Sequence, residues 1–176
     1  MATEKFKALV HFLVHECREP GRLGAIRLNK ALWHTDVMAY KMNGVPVTGE
    51  AYVKMKFGPV PAHIDAALVS LAAEGKLVIR VPEHLYDTKK FVSLVQPDAT
   101  LLSDDDRALA RAMLEYVLDR PASEISAETH DIIWEAAEIG EVIPLSATLA
   151  SQLGNVTEEV RSWAAGVVAE IEAQAA

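Results

Sequence analysis

Apolar side chains recur every three or four residues along most of this chain, a spacing that predicts a mainly helical protein. Over residues 3–17, Phe6, Leu9, Val10, Leu13, Val14 and Cys17 form one stripe, and Pro20-Gly21 ends it. Over residues 25–43, Leu28, Leu32, Trp33, Val37 and Tyr40 make a wider arc closed by Asn43-Gly44, so this helix is expected at the centre. A third helix, residues 61–75, is expected to open with Pro61 in its first position, to bury Ile64, Leu68, Leu71 and Ala72, and to end at Gly75. Ser103 ahead of Asp104, Asp105 and Asp106 marks a fourth start, because the hydroxyl caps free amides and the acids complement the positive helix end. Leu109, Met113, Tyr116 and Val117 form its apolar face. Shorter helical segments are expected over residues 122–137 and 144–153, and a last helix over 157–173 with Val160, Trp163, Ala164, Val167, Val168 and Ile171 on one side.

In two places the period changes. Residues 44–61 carry prolines, glycines and a loose alternation at Tyr52, Lys54 and Lys56, which predicts irregular structure with one short strand. Residues 77–81 and 90–95 have β-type composition with Pro82 and Asp87 between them, an antiparallel hairpin with a long tip. The fold class is therefore α+β and predominantly helical, with the helix-then-hairpin order of a winged helix. One globular unit is expected, comprising an N-terminal helix (1–24), a main domain (25–145) and a helical extension (146–176).

The 176 residues are 51% apolar and 24% charged, enough to bury one core. The longest uncharged stretch, residues 142–157, holds Pro144, Ser146, Thr148, Ser151, Gln152 and Asn155, which argues against a membrane span. Charged and histidine side chains interrupt the first apolar positions, so no signal segment is expected and the protein is assigned to the cytoplasm. A formal net charge of −8 conceals a division: residues 22–90 hold ten basic and six acidic side chains, whereas 91–176 hold four and sixteen. Such a division suits a protein partner with a charged patch of its own, although acidic surface helices also produce it.

Candidate chemistry is sparse. His11 and His15 share a helix face near Cys17, but no second ligand cluster exists to complete a metal site, and no metal or cofactor is expected. Ser126, Glu128, His130 and Asp131 are close in sequence, yet a nucleophile and its base must converge in space, and neighbours on one helix diverge. No catalytic residue is assigned. Gly58-Pro59-Val60-Pro61 lacks the consecutive free amides of a phosphate loop. The helix before the hairpin carries His63, Asp65, Ser70 and Glu74 and no Arg, Lys, Asn or Gln, so a DNA-reading role is disfavoured, although Lys76, Arg80, Lys89 and Lys90 could meet a backbone.

A set of short strings occurs in a distinctive order: Leu28-Asn29-Lys30-Ala31-Leu32-Trp33 with Asp36, Gly49-Glu50-Ala51-Tyr52, Lys56-Phe57-Gly58-Pro59-Val60-Pro61, Thr129-His130 with Trp134, and Gly140-Glu141-Val142-Ile143-Pro144. From about residue 25 to 145 they resemble the Panacea domain of SocA-like antitoxins, with Ala31-Leu32-Trp33 where that family often has Leu-Leu-Tyr. The resemblance implies a non-enzymatic antitoxin that binds a cognate toxin protein. In some members the domain also resembles an adaptor that delivers the toxin to an ATP-dependent protease. The alternative is a winged-helix-like DNA-binding regulator. The partner-binding residues suggested are Lys54, Lys56, Phe57, Gly58, Pro59, Trp33, Asp36, Tyr52, His130 and Trp134. Lys54 and Lys56 are expected to flank a stiff loop as exposed cations. Trp33, Tyr40 and Trp134 are more often core residues, and Asp36 and His130 fit an internal network joining the second helix to the Trp134 segment. The terminal Ala173-Gln174-Ala175-Ala176 resembles the small apolar tails that such proteases engage, although alanine is also an ordinary helix former.

Overall fold

The computed structural model describes residues 1–81, 89–98, 100–152 and 162. The expected helix over 157–173, the terminal alanine tail, and Pro82 and Asp87 of the hairpin tip lie outside these residues. The fold is mixed α+β and mainly helical. Helix α1 (Glu4–Glu16) is capped by the Thr3 hydroxyl, which accepts the Phe6 N–H at 3.2 Å, and buries Phe6, Leu9, Val10 and Leu13 completely. Helix α2 (Ala25–Asn43) ends at Gly44, whose φ of 73° lets the chain reverse where a side chain would be strained. Helix α4 (Asp104–Leu118) opens with a full capping box: the Ser103 hydroxyl accepts the Asp106 N–H at 3.0 Å and the Asp106 carboxylate accepts the Ser103 N–H at 3.1 Å. Helix α2 is central, packed by α1, α4 and α5 (Ala122–Glu128) and by strand β2 (Gly58–Pro61).

Among the described residues, two small antiparallel sheets complete the fold. In the first, β1 (Tyr52–Met55) lies between β2 and β5 (Val142–Ile143); the second pairs β3 (Leu77–Arg80) with β4 (Lys90–Ser93). The second sheet is the hairpin expected from sequence, and it follows helix α3 (Ile64–Ala73) as in a winged helix. His11 Nε2 and His15 Nδ1 both bond the Ser93 hydroxyl, at 3.1 and 3.2 Å, and that hydroxyl donates to the Val95 carbonyl. These histidines therefore tie α1 to β4.

Three expectations need correction. Pro61 does not open a helix; it is the last residue of β2, and α3 begins at Ile64. The Ala62 N–H donates to the Ala51 carbonyl at 2.8 Å, which commits the backbone around Pro61 to the β1 ladder. That bond also sets the phase of the ladder: Ala62, Val60 and Gly58 turn their N–H groups toward β1, while Pro59 and Pro61 occupy the intervening positions that need none. Second, residues 44–61 contain two strands where one was expected. Third, residues 122–137 form two helices, α5 and α6 (Ile132–Ala136), because the Asp131 carboxylate caps a new start by accepting the N–H groups of Ile133 and Trp134 at 3.1 and 3.0 Å. The segment expected to be helical near 144–153 is a 3-10 helix, Leu145–Gln152, preceded by the unforeseen β5.

Candidate protein-interaction site

The turn joining β1 to β2 consists of Lys56 and Phe57, and Gly58 follows with a φ of 105°, a conformation that side chains rarely adopt. The reason for a glycine here is steric as well as torsional. A Cβ at Gly58 would collide with the Lys30 Nζ and the Thr129 Oγ1, which meet in a short hydrogen bond directly beneath it. Lys30 projects from α2 and Thr129 terminates α5, so three distant segments converge at one glycine. Neighbouring bonds hold the turn from the same side. The Ser126 hydroxyl donates to the Phe57 carbonyl at 2.8 Å, and the Trp134 Nε1–H donates to the Met55 carbonyl at 3.2 Å.

Lys54 is not the exposed cation that the sequence suggested. It is 9% exposed; its ammonium donates to the Ala137 carbonyl at 2.8 Å and sits 4.1 Å from the centroid of the Trp134 ring. Its side chain is thus part of the clamp that holds β1 against residues 134–137. His130 stacks on the same Trp134 ring, with centroids 3.8 Å apart, and its pKa is lowered by burial and by the nearby charges of Lys30 and Lys54.

Two groups emerge from the ten suggested residues. Trp33, Asp36 and Tyr52 meet at the far end of β1: Asp36 is fully buried, its carboxylate accepts the Tyr52 hydroxyl at 2.8 Å and the Thr48 N–H at 2.9 Å, and Trp33 packs edge-on against Tyr52. Burial raises the Asp36 pKa despite those donors. The Tyr52 hydroxyl is likewise held neutral by burial and by Asp36. Lys54, Lys56, Phe57, Gly58, Pro59, His130 and Trp134 gather instead around the turn. The expected network from Asp36 to His130 is not formed. The bridge from α2 to this region is Lys30, which lies within the Leu28–Trp33 string but is not among the ten suggested residues.

The turn presents an apolar knob beside an apolar hollow. Phe57 is 53% exposed and Met55 43% exposed, and Lys56 Nζ lies 5.4 Å from the Phe57 ring. Next to them is a cavity of about 340 Å³ walled by Ile26, Asn29, Lys30, Met55, Phe57 and Pro59, among others. Ile26, Asn29 and Met55 were missed from sequence; Ile26 and Lys30 are four apart on α2, the spacing that could have paired them.

Burial lowers the Lys30 pKa to about 7, opposed only by the more distant Glu128 carboxylate. His34, one turn further along α2, is lowered by burial to about 4 and packs edge-on against Tyr116 at 5.4 Å. Tyr116 in turn donates its hydroxyl to the Glu128 carboxylate at 2.5 Å. These groups are engaged with one another. Ser126 is bonded to the Phe57 carbonyl and Asp131 to helix amides, so neither joins His130 as a nucleophile–base pair. Among the described residues no group of three His, Cys, Asp or Glu side chains is placed to hold a metal ion.

The described residues form an α+β unit whose distinctive feature is a clamped β-turn beside an apolar hollow. The chain belongs to the SocA-like antitoxin family defined by the Panacea domain, whose profile matches residues 28–135. The match covers the central helix from Leu28 onward, the clamped turn, and Thr129 through Trp134, and it stops short of Gly140-Glu141-Val142-Ile143-Pro144. No curated protein and no solved structure shows significant similarity to the chain.

Proposed function

We propose that this protein is an antitoxin that neutralises a cognate toxin protein by direct binding, with the β1–β2 turn as the centre of the contact. The carrying observation is the exposed Phe57 on a turn whose backbone is held by Ser126, Trp134 and, through Gly58, the Lys30–Thr129 pair. A side chain presented from a pre-ordered turn loses little entropy on binding, and an exposed aromatic beside an apolar hollow suits a binding hot spot. Lys56 supplies a positive charge at the rim. Gly58, Pro59, His130 and Trp134 act from beneath by setting the shape of the turn, as does Lys54. Trp33, Asp36 and Tyr52 support the other end of β1.

The family resemblance extends the proposal to delivery of the bound toxin to an ATP-dependent protease in the cytoplasm. No helix among the described residues is long and apolar enough to cross a membrane. DNA recognition through α3 has less support: its outward positions are Asp65, Ala66, Val69 and Ala73, which include no Arg, Lys, Asn or Gln, and the lone carboxylate would be repelled by the phosphates.

The deciding experiment coexpresses the chain with the product of its neighbouring gene. Growth arrest by that product alone, relieved by this chain and not by its Phe57→Asp variant, supports the proposal. A harmless neighbour, or equal relief by the variant at equal protein level, refutes the assignment of the turn.

A further inference from the structure

The hollow beside Phe57 is almost wholly apolar, and its lining includes two lysines, Lys30 and Lys56, and no Asp or Glu. Lys56 is exposed; its ammonium lies 5.4 Å from the centroid of the Phe57 ring and meets no carboxylate among the described residues. Asn29, in the α2 wall, is half-buried, and its side-chain amide has no hydrogen-bond partner among the described residues. At about 340 Å³ the hollow exceeds the roughly 150 Å³ in which a benzene ring fits, so it has room for a large apolar side chain.

The strand beside the hollow restricts how such a side chain arrives. β2 is at the edge of its sheet, and Gly58 and Val60 turn their N–H groups toward β1. The positions facing the free edge are Pro59 and Pro61, which have no N–H, so the carbonyls of an added strand would find no donor there. A segment that reaches the hollow therefore does so without joining the sheet.

Resting on the reading of the β1–β2 turn as the toxin contact, we propose that the toxin places one large apolar side chain in this hollow, bonds Asn29 through its backbone, and pairs a neighbouring carboxylate with Lys56. The Asn29 amide both donates and accepts, which suits the carbonyl and N–H of a backbone outside any sheet. An acid beside the apolar side chain answers a lining that has lysines and no acid of its own. Burial in the hollow supplies affinity, and the two polar contacts select the partner.

Calorimetric binding of the neighbouring gene's product to the full chain tests this. Ile26→Trp, which fills the hollow, Asn29→Ala and Lys56→Glu should each weaken binding at least about fivefold at an unchanged melting temperature. Lys56→Arg should bind as the parent does, and so should Arg80→Glu, a charge change in the other sheet. Weak binding by Phe57→Asp with parent affinity in all three hollow variants would overturn the proposal and leave the turn as the contact. Parent affinity in Phe57→Asp as well would overturn both. Equal weakening by Arg80→Glu and Lys56→Glu would overturn the pairing with Lys56. A random peptide library displayed on phage and selected on the full chain provides a second measurement that needs no neighbouring gene. The expected peptides combine Leu, Ile, Phe or Trp with an adjacent Asp or Glu and lose binding to Ile26→Trp and to Lys56→Glu. Peptides that lack this combination, or a selection that yields none, overturn the proposal.

Discussion

Lys30 donates its ammonium to the hydroxyl of Thr129, a residue 99 positions further along the chain, and the backbone of Gly58 passes directly over the bond. The pair joins α2 to the end of α5 and sets the depth at which the β1–β2 turn can sit. Its position shows how the turn that carries Phe57 is held from below, and it gives the most direct mutational test of the site.

Gly58→Ala should destabilise the protein by about 2 kcal/mol or more, because the new Cβ is both torsionally strained and in collision with Lys30 and Thr129. Gly49→Ala tests the torsional share alone, since Gly49 also has positive φ but open space around it. Urea unfolding of the two variants should place Gly58→Ala clearly below Gly49→Ala. Equal midpoints would mean that the Lys30–Thr129 pair yields freely.

The lowered Lys30 pKa has a definite sign for stability. Between about 7, its folded value, and the ordinary value of 10.5, the unfolded chain holds a proton that the folded chain has released. Stability therefore rises with pH across that window, by at most about 5 kcal/mol, and the full burial cost is present at and below pH 7. Lys30→Met should flatten this limb and raise the urea midpoint at pH 6. An unchanged slope would show that the amine is not desolvated as its burial implies.

His34 governs the acid side. Its folded pKa of about 4 lies below the ordinary 6.5, so between those values the unfolded chain binds the extra proton and stability falls as pH falls. The Nε2 is buried with no hydrogen-bond partner, so a charge there would be unsatisfied. Replacement by Leu should reduce the loss of thermal stability between pH 6.5 and 4; the same loss in variant and parent would assign it to the carboxylates.

Lys54 and Lys56 are two residues apart yet should behave oppositely. Lys54→Glu places a carboxylate against the Ala137 carbonyl and the Trp134 face and should cost about 2 kcal/mol or more of stability. Lys56→Glu, at an exposed position, should change stability by less than about 0.5 kcal/mol. Binding to the toxin should weaken about tenfold or more in Phe57→Ala without loss of melting temperature, read by calorimetry alongside thermal unfolding. Intact affinity in Phe57→Ala would place the interface elsewhere.

Much of this molecule follows from local pattern. The helix expected over residues 25–43 coincides with α2, and the capping box at Ser103 begins α4 where the hydroxyl and acids predicted it, because caps and apolar stripes act over one or two turns. The ordered strings that identify the family are likewise local, and their family assignment required no coordinates. The β3–β4 hairpin was legible from two β-rich runs with turn residues between them.

Other features depended on partners distant in sequence. Pro61 has the right chemistry for a helix start, but the Ala62–Ala51 bond and the β1 register place it in a strand, and local propensity cannot weigh a bond to another strand. Lys54 has the composition of a surface residue and is buried because Trp134 and the Ala137 carbonyl, some eighty positions away, receive its ammonium. The convergence of Lys30, Gly58 and Thr129 is of the same kind. Periodicity could place Lys30 on a helix and Gly58 in a turn, but only the packing of α2 against β2 and α5 brings an amine, a hydroxyl and a residue without a Cβ to one point.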